Sequence, residues 1–228
     1  MRKLILTSLA AVVVSLAVLA PGGATDAGAI QHDPILFIHG YKPVPGTWNT
    51  MKARFIANGW PSNRLYASYT FPSSGTSNEK IAKTIAEKVS AIRKATGAKK
   101  VDIIAHSMGS LSSRYYLKKL GGTAYVDEWV SLGGPNHGTP WAYAPTCILS
   151  SPCNQMVPFS GFLIGLNWGD ETPGSVRYGT WRSPCDLVVP ASSVPLVGAA
   201  KNALTWCISH SALTTNSTVY NQVRDFVR

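Results

Sequence analysis

The feature that most constrains this chain is an alternation. Short apolar runs recur along it, and between them lie stretches whose apolar residues return at helical spacing. The runs are "PILFIHG", "RLYASYTF", "KKVDIIAHS", "YVDEWVSLGG", "SVRYGTWRS" and "ALTWCIS". Buried-type strands separated by helices predict an α/β fold, an open and mostly parallel sheet of about six strands with helices on both faces. Among the helical stretches, "GTWNTMKARFIANGW" places Trp48, Met51 and Phe55 on one face and stops near Gly59. The clearest helix carries Ile81, Ile85, Val89 and Ile92 on one stripe, with Thr76 and Glu79 as a predicted capping box and Gly97 as its stop. "MGSLSSRYYLKKL" is a helix ended by Gly121 and Gly122, and "STVYNQVRDFVR" closes the chain as another. In such a sheet, functional groups belong beyond the C-terminal ends of the strands.

The first residues read differently. Met1, Arg2 and Lys3 precede an apolar run from Leu4 to Ala20 and a small-residue exit, the pattern of a secretory signal peptide over residues 1–29, cleaved after Ala24 or Ala29. A transmembrane helix is the competing reading, but no stop-transfer flank follows and no later run is long enough to span a bilayer. Residues 30–228 then form a single domain of roughly 200 residues, enough for one sizeable core. The formal net charge is +10, and its lysines and arginines are spread over helical stretches rather than gathered in a tract interleaved with aromatics. That distribution fits a solvated surface, with attraction to anionic interfaces second, and argues against nucleic acid.

Four cysteines, Cys147, Cys153, Cys185 and Cys207, fall in the C-terminal half. An even count behind a signal peptide predicts two disulfides in an oxidising compartment. Zinc is disfavoured because no C-x2-C spacing occurs. Of the three pairings, 147–153 as a local loop and 185–207 as a long staple are favoured.

Chemistry centres on "VDIIAHSMGS". A strand, then Ser107, then a helix is the context of a nucleophile elbow. The turn demands small residues two before and two after the serine, and Ala105 and Gly109 are both small. The pentapeptide alone is weak, since many strand–helix junctions contain small residues. The histidines add what it lacks. Of His32, His39, His106, His137 and His210, only the last two follow Ser107, as the chain order serine, acid, histidine requires. With His137 the acid would be Asp127 or Glu128, at the wrong end of a strand. With His210 the candidates are Asp170, Glu171 and Asp186, and only Asp186 follows the fifth strand. Ser107, Asp186 and His210 are therefore the catalytic candidates: a serine hydroxyl needs an imidazole to take its proton and a carboxylate to fix that imidazole. The oxyanion donors expected are the backbone N–H groups of Met108 and Tyr41. His39 reads as a core or turn histidine, His106 as packed under the elbow, and His137 as a loop organiser at the cleft edge.

Taken in order, "ILFIHG", "VDIIAHSMG", "SLGGPNHGT", "SPCDLVVP" and "CISHSAL" resemble the small secreted bacterial lipases of the class 2 type. The resemblance covers nearly the whole chain from about Pro34, and implies a minimal α/β-hydrolase acting on acylglycerols or related carboxylic esters. It implies Ser107 as nucleophile, Asp186 as acid, His210 as base, and Tyr41 and Met108 as oxyanion donors. Some relatives share the Ala-x-Ser-x-Gly form, so Ala105 is no departure. The sequence between His137 and Asp186 is longer than in the smallest members. There "MVPFSGFLIGLNW" offers Met156, Phe159, Phe162, Leu163 and Leu166 as an acyl-groove wall or a short lid, against a bland reading as a plug in the core. Asn216-Ser217-Thr218 is a glycosylation sequon by pattern alone.

The expectation is thus a secreted, monomeric triacylglycerol lipase or esterase, working through an acyl-enzyme on Ser107 without metal or organic cofactor. Its partner is a lipid or ester substrate met at an oil–water interface, with no stable membrane insertion. Rivals on the same scaffold are a short-chain carboxylesterase, a polyester hydrolase and an acyltransferase. Outside enzymes, the rival is a retired hydrolase fold kept as a binding protein.

Overall fold

The computed structural model describes residues 32–67, 75–147 and 149–228. The expected signal peptide, 1–29, lies outside them. Six strands form one sheet: β1 (Ile35–Ile38), β2 (Leu65–Ala67), β3 (Val101–His106), β4 (Val126–Leu132), β5 (Arg177–Arg182) and β6 (Lys201–Leu204). The spatial order is β2-β1-β3-β4-β5-β6, and each neighbouring pair is parallel, so "mostly parallel" becomes wholly parallel. The order reverses direction at β1 and β3, which puts the natural binding crevice beyond their C-terminal ends.

Both faces are covered. Helices α1 (Asn49–Ala57) and α6 (Ser217–Phe226) pack on one side, and α2 (Asn78–Thr96) and α3 (Gly109–Lys119) on the other. The period-two pleat divides each strand between them. In β1, Ile35 and Phe37 face Trp48, Met51, Phe55 and Tyr220, while Leu36 and Ile38 face Ile81, Ile85 and Val89. The stripe Ile81, Ile85, Val89 and Ile92 is buried along its length, contributing roughly 1.5–3 kcal/mol per side chain. Gly97 ends α2 in the left-handed region at φ 69°.

Three expectations shift. The sixth strand is Lys201–Leu204, not "ALTWCIS": the β5 pairing runs out at Arg182 and Leu204, and Trp206 beyond them is exposed. Of "RLYASYTF", Leu65–Ala67 is strand and 68–71 lie outside the described residues. The capping box of Thr76 and Glu79 does not form, because Ser77 is the N-cap. The start of α2 is instead held by Gln155, whose Oε1 accepts from the Asn78 amide at 2.7 Å and from Asn78 Nδ2 at 2.9 Å. Its Nε2 donates to Glu79 Oε2 at 2.5 Å.

Gln155 arrives on α4 (Ser151–Met156), which is followed by α5 (Gly161–Asn167); no helical period in the sequence announced these two short helices. Disulfides join Cys147 to Cys153, at the entry to α4, and Cys185 to Cys207, across the loops that follow β5 and β6. Among the described residues, no helix is long and apolar enough to cross a membrane.

Candidate active site

Strand β3 delivers Ser107 and then turns abruptly into α3. Ser107 has φ 55°, one of only two non-glycine residues with positive φ among the described residues. Such a conformation costs roughly 1–3 kcal/mol and is kept only where the surroundings impose it. Here the Ser107 amide donates to the Leu132 carbonyl at 2.9 Å, and α3 begins against the end of β1. A Cβ on Gly109 would stand 2.5 Å from the His39 carbonyl oxygen and 2.9 Å from Ile38 Cγ2, so glycine is obligatory there. Gly40 meets the serine from the other side: a Cβ on it would lie 2.8 Å from Ser107 Cβ. Ala105 is fully buried in the core, and its methyl is accommodated.

Ser107 opens into a cavity of 640 Å³, bounded by the loop after β1, by Thr139, Trp141 and Met156, by Val188 and Val189, and by His210. Behind His210 stands Asp186, whose Oδ2 accepts from Nδ1 at 2.6 Å. Asp186 Oδ1 accepts from the amides of Val188 and Val189, each at 2.9 Å. Burial opposes its ionisation, yet these bonds, His210's foremost, hold its pKa below the usual carboxylate value. The carboxylate is thus fixed from both oxygens and His210 is held at Nδ1, leaving Nε2 for the cavity.

The amides of Tyr41 and Met108 flank the serine, and neither donates to a protein acceptor among the described residues. Tyr41 lines the cavity, and Met108 is the N-cap of α3, whose dipole favours negative charge at that end. The Tyr41 side chain hydrogen-bonds Ser150 Oγ at 3.2 Å and meets Trp141 edge-on at 5.7 Å, which steadies the loop that carries its amide.

The remaining histidines support these groups. His106 is buried, and its Nε2–H donates to the His210 carbonyl at 3.0 Å, with the two rings 4.6 Å apart. Burial, reinforced by His210, pushes the His106 pKa down to about 3, so it stays neutral. His39 Nδ1–H donates to the Gly40 carbonyl at 2.8 Å, and burial lowers its pKa too. His137 pairs with Glu171 at 3.0 Å, which raises its pKa against the effect of burial, and ties the loop after β4 to the segment before β5.

The groove candidates part company. Met156 lines the cavity. Leu163 and Leu166 are core residues on the face that α5 turns toward α3. Phe162 stacks on Tyr115 with ring centroids 5.8 Å apart. Phe159 is exposed, at φ 61°. These four do not line the cavity that Ser107 opens into: Leu163 and Leu166 lie in the core, Phe162 packs against it, and Phe159 faces out. One residue escaped the sequence reading. A Cβ on Gly133, at φ 59°, would lie 3.1 Å from Asp186 Oδ2 and 3.2 Å from His210 Nδ1. The paired glycines closing "SLGG" were its signal. Among the described residues, no group of three or more His, Cys, Asp or Glu is placed to hold a metal ion.

A family model described as "Lipase (class 2)" matches residues 32–205, ending just before His210. Among solved structures, the mature form of Bacillus licheniformis lipase BlEst2 is similar, with a TM-score of 0.74 at 17% identity over 89% of this chain and 94% of that one. Aspergillus fumigatus lipase B is similar with a TM-score of 0.67 at 16% identity, over 87% of this chain and 53% of the other. Legionella pneumophila phospholipase PlaB gives 0.69 at 12% identity, over 86% and 59%. At these identities the structures show a shared α/β fold, whereas the family match spans most of the sequence. This chain belongs to the class 2 lipases, a family of lipolytic ester hydrolases.

Proposed function

We propose that the protein is a secreted serine hydrolase that cleaves carboxylic esters of acylglycerols through an acyl-enzyme on Ser107. The observation that carries this is the left-handed Ser107 facing the same cavity as His210, whose Nδ1 is held by Asp186 at 2.6 Å.

In this reading His210 Nε2 takes the Ser107 proton as Oγ attacks the ester carbonyl. The Asp186 carboxylate steadies the imidazolium that forms, and the Tyr41 and Met108 amides receive the oxyanion. The tetrahedral intermediate collapses as His210 returns the proton to the departing alcohol. Water, activated by the same imidazole, then attacks the acyl-enzyme and frees the acid. Every proton in this cycle moves through His210, so no metal or organic cofactor is required.

Secretion is part of the proposal, supported by the N-terminal pattern over residues 1–29 and by two disulfides in the folded domain. Residues 30–228 are read as one catalytic domain. A largely apolar cavity walled by Trp141, Met156, Val188 and Val189 suits an acyl chain. The test is a chain-length profile on emulsified and soluble esters, with Ser107→Ala as control. Turnover of long-chain emulsions that vanishes in the variant supports the proposal. Turnover restricted to short soluble esters would instead favour a carboxylesterase, and turnover surviving in Ser107→Ala would reject the serine mechanism.

A further inference from the structure

We propose that Thr139 is a positioning residue of this catalytic centre, acting on Asp186 through Val188. The inference rests on the reading of Ser107, Asp186 and His210 given above.

Thr139 lies in the loop that follows β4 and is 1% exposed. A buried threonine whose role was packing alone would be served equally by valine, which has the same shape and no polar atom to satisfy. Thr139 instead engages its hydroxyl, its amide and its carbonyl in four hydrogen bonds, each to a different partner. Its hydroxyl donates to the Val188 carbonyl in a short bond and accepts from the Trp141 amide at 3.2 Å. Its own amide donates to the Met156 carbonyl at 2.9 Å, and its carbonyl accepts from the Ala142 amide at 3.1 Å. Val188, Trp141 and Met156 all line the cavity that Ser107 opens into, as does Thr139. One residue is therefore where the acid loop, the aromatic rim and the α4 wall are joined.

The link to catalysis is Val188. Its carbonyl is held by Thr139, and its amide is one of the two donors to Asp186 Oδ1, at 2.9 Å. Removing the hydroxyl frees the peptide on the C-terminal side of Val188 and leaves a part-buried carbonyl without its donor. The N–H of that same planar peptide is the Val189 amide, the second donor to Asp186 Oδ1 at 2.9 Å; it loses its fixed direction, and the carboxylate one of its restraints. The two loops have further ties, from Asn136 Nδ2 to the Val194 carbonyl at 2.6 Å and from the His137 amide to the Ser193 carbonyl at 3.0 Å. Those hold positions well past Asp186. The Thr139 hydroxyl is the tie placed to act on the acid, and the others preserve the fold without it.

The experiment compares Thr139→Val, Thr139→Ser, Thr139→Ala and Ser107→Ala with the wild-type full chain, using p-nitrophenyl acetate and butyrate across pH. The assignment predicts that Thr139→Val lowers kcat at least tenfold, leaves KM within about threefold, and moves the acid limb of the kcat profile to lower pH. A less firmly held carboxylate supports the imidazolium less, and that moves the limb. Thr139→Ser should restore both kcat and the limb. Should Thr139→Val fail to fold, the Ser and Ala variants, which differ by the hydroxyl alone, make the same comparison. Wild-type kcat and limb in Thr139→Val, or equal losses in Thr139→Ser and Thr139→Ala with an unmoved limb, would overturn the assignment. Loss of activity in Ser107→Ala alongside either result leaves the serine mechanism standing, whereas activity surviving in Ser107→Ala removes that mechanism itself.

Discussion

Gly133 and His210 touch at the end of the sheet: a methyl group on the glycine would stand 3.2 Å from His210 Nδ1, inside the space of its bond to Asp186. Gly133→Ala therefore combines two penalties. The φ of 59° disfavours any side chain, and the added carbon would also meet Leu213 Cδ1 at 2.8 Å. Misplacement of a catalytic group by about 1 Å costs on the order of a hundredfold in rate, while the backbone penalty is about 1–2 kcal/mol. Steady-state kinetics should thus show kcat/KM falling roughly a hundredfold, with only a modest drop in the urea midpoint. Wild-type turnover in the variant would contradict the contact.

Acid stability should depend on His106. Its folded pKa is depressed to about 3 from 6.5 by burial and by His210. Between those values the unfolded chain binds a proton that the folded chain refuses, so stability falls as pH drops through that window and is fully retained above it. Asp186, also depressed, adds to the loss below its unfolded value of 3.8. His106→Gln removes the imidazole and keeps a donor for the His210 carbonyl. Urea midpoints measured from pH 7 to 4 should fall less steeply in the variant than in the wild type.

The long disulfide should matter more to catalysis than its place in the sequence suggests. Cys185 adjoins Asp186 in sequence, and the bridge to Cys207 closes a separation of 22 residues three positions short of His210. Loop-closure entropy for such a span is about 3 kcal/mol. A Cys185→Ala/Cys207→Ala double variant should lose roughly that in urea unfolding. Its kcat should fall even at temperatures where circular dichroism shows it fully folded. Full kcat in the folded variant would confine the bridge to stability.

Leu166 and Met156 separate core from cavity. Leu166→Ala should cost about 2–5 kcal/mol while leaving the acyl-chain profile unchanged, because the side chain packs against α3. Met156→Ala enlarges the cavity wall and should shift preference toward bulkier acyl chains, read as the ratio of kcat/KM for long and short esters. A shifted profile in Leu166→Ala would return α5 to the groove.

Much of this fold is legible in the sequence alone. The helices α1, α2, α3 and α6 have long apolar stripes, and β1, β3, β4 and β5 are buried on both faces, so pattern alone located them. The pair Asp186 and His210 followed from strand polarity and chain order. What was hidden depends on contacts distant in sequence. The start of α2 is held by Gln155, 77 positions away from Asn78, and no local pattern could place it there. The edge strand β6 shows an exposed Leu204, with exposed Trp206 beyond it, so the apolar run drew the strand too far along the chain. The α4–α5 segment is too short for its period to distinguish a groove wall from a packed helix.

The most direct test of the mechanism is covalent capture. The protein is incubated with a p-nitrophenyl alkylphosphonate, and the product is resolved by intact mass and peptide mapping. The mechanism predicts a single adduct, on Ser107, formed in step with loss of ester turnover and absent in Ser107→Ala. An adduct on any other residue, or inactivation of Ser107→Ala at the wild-type rate, would contradict it.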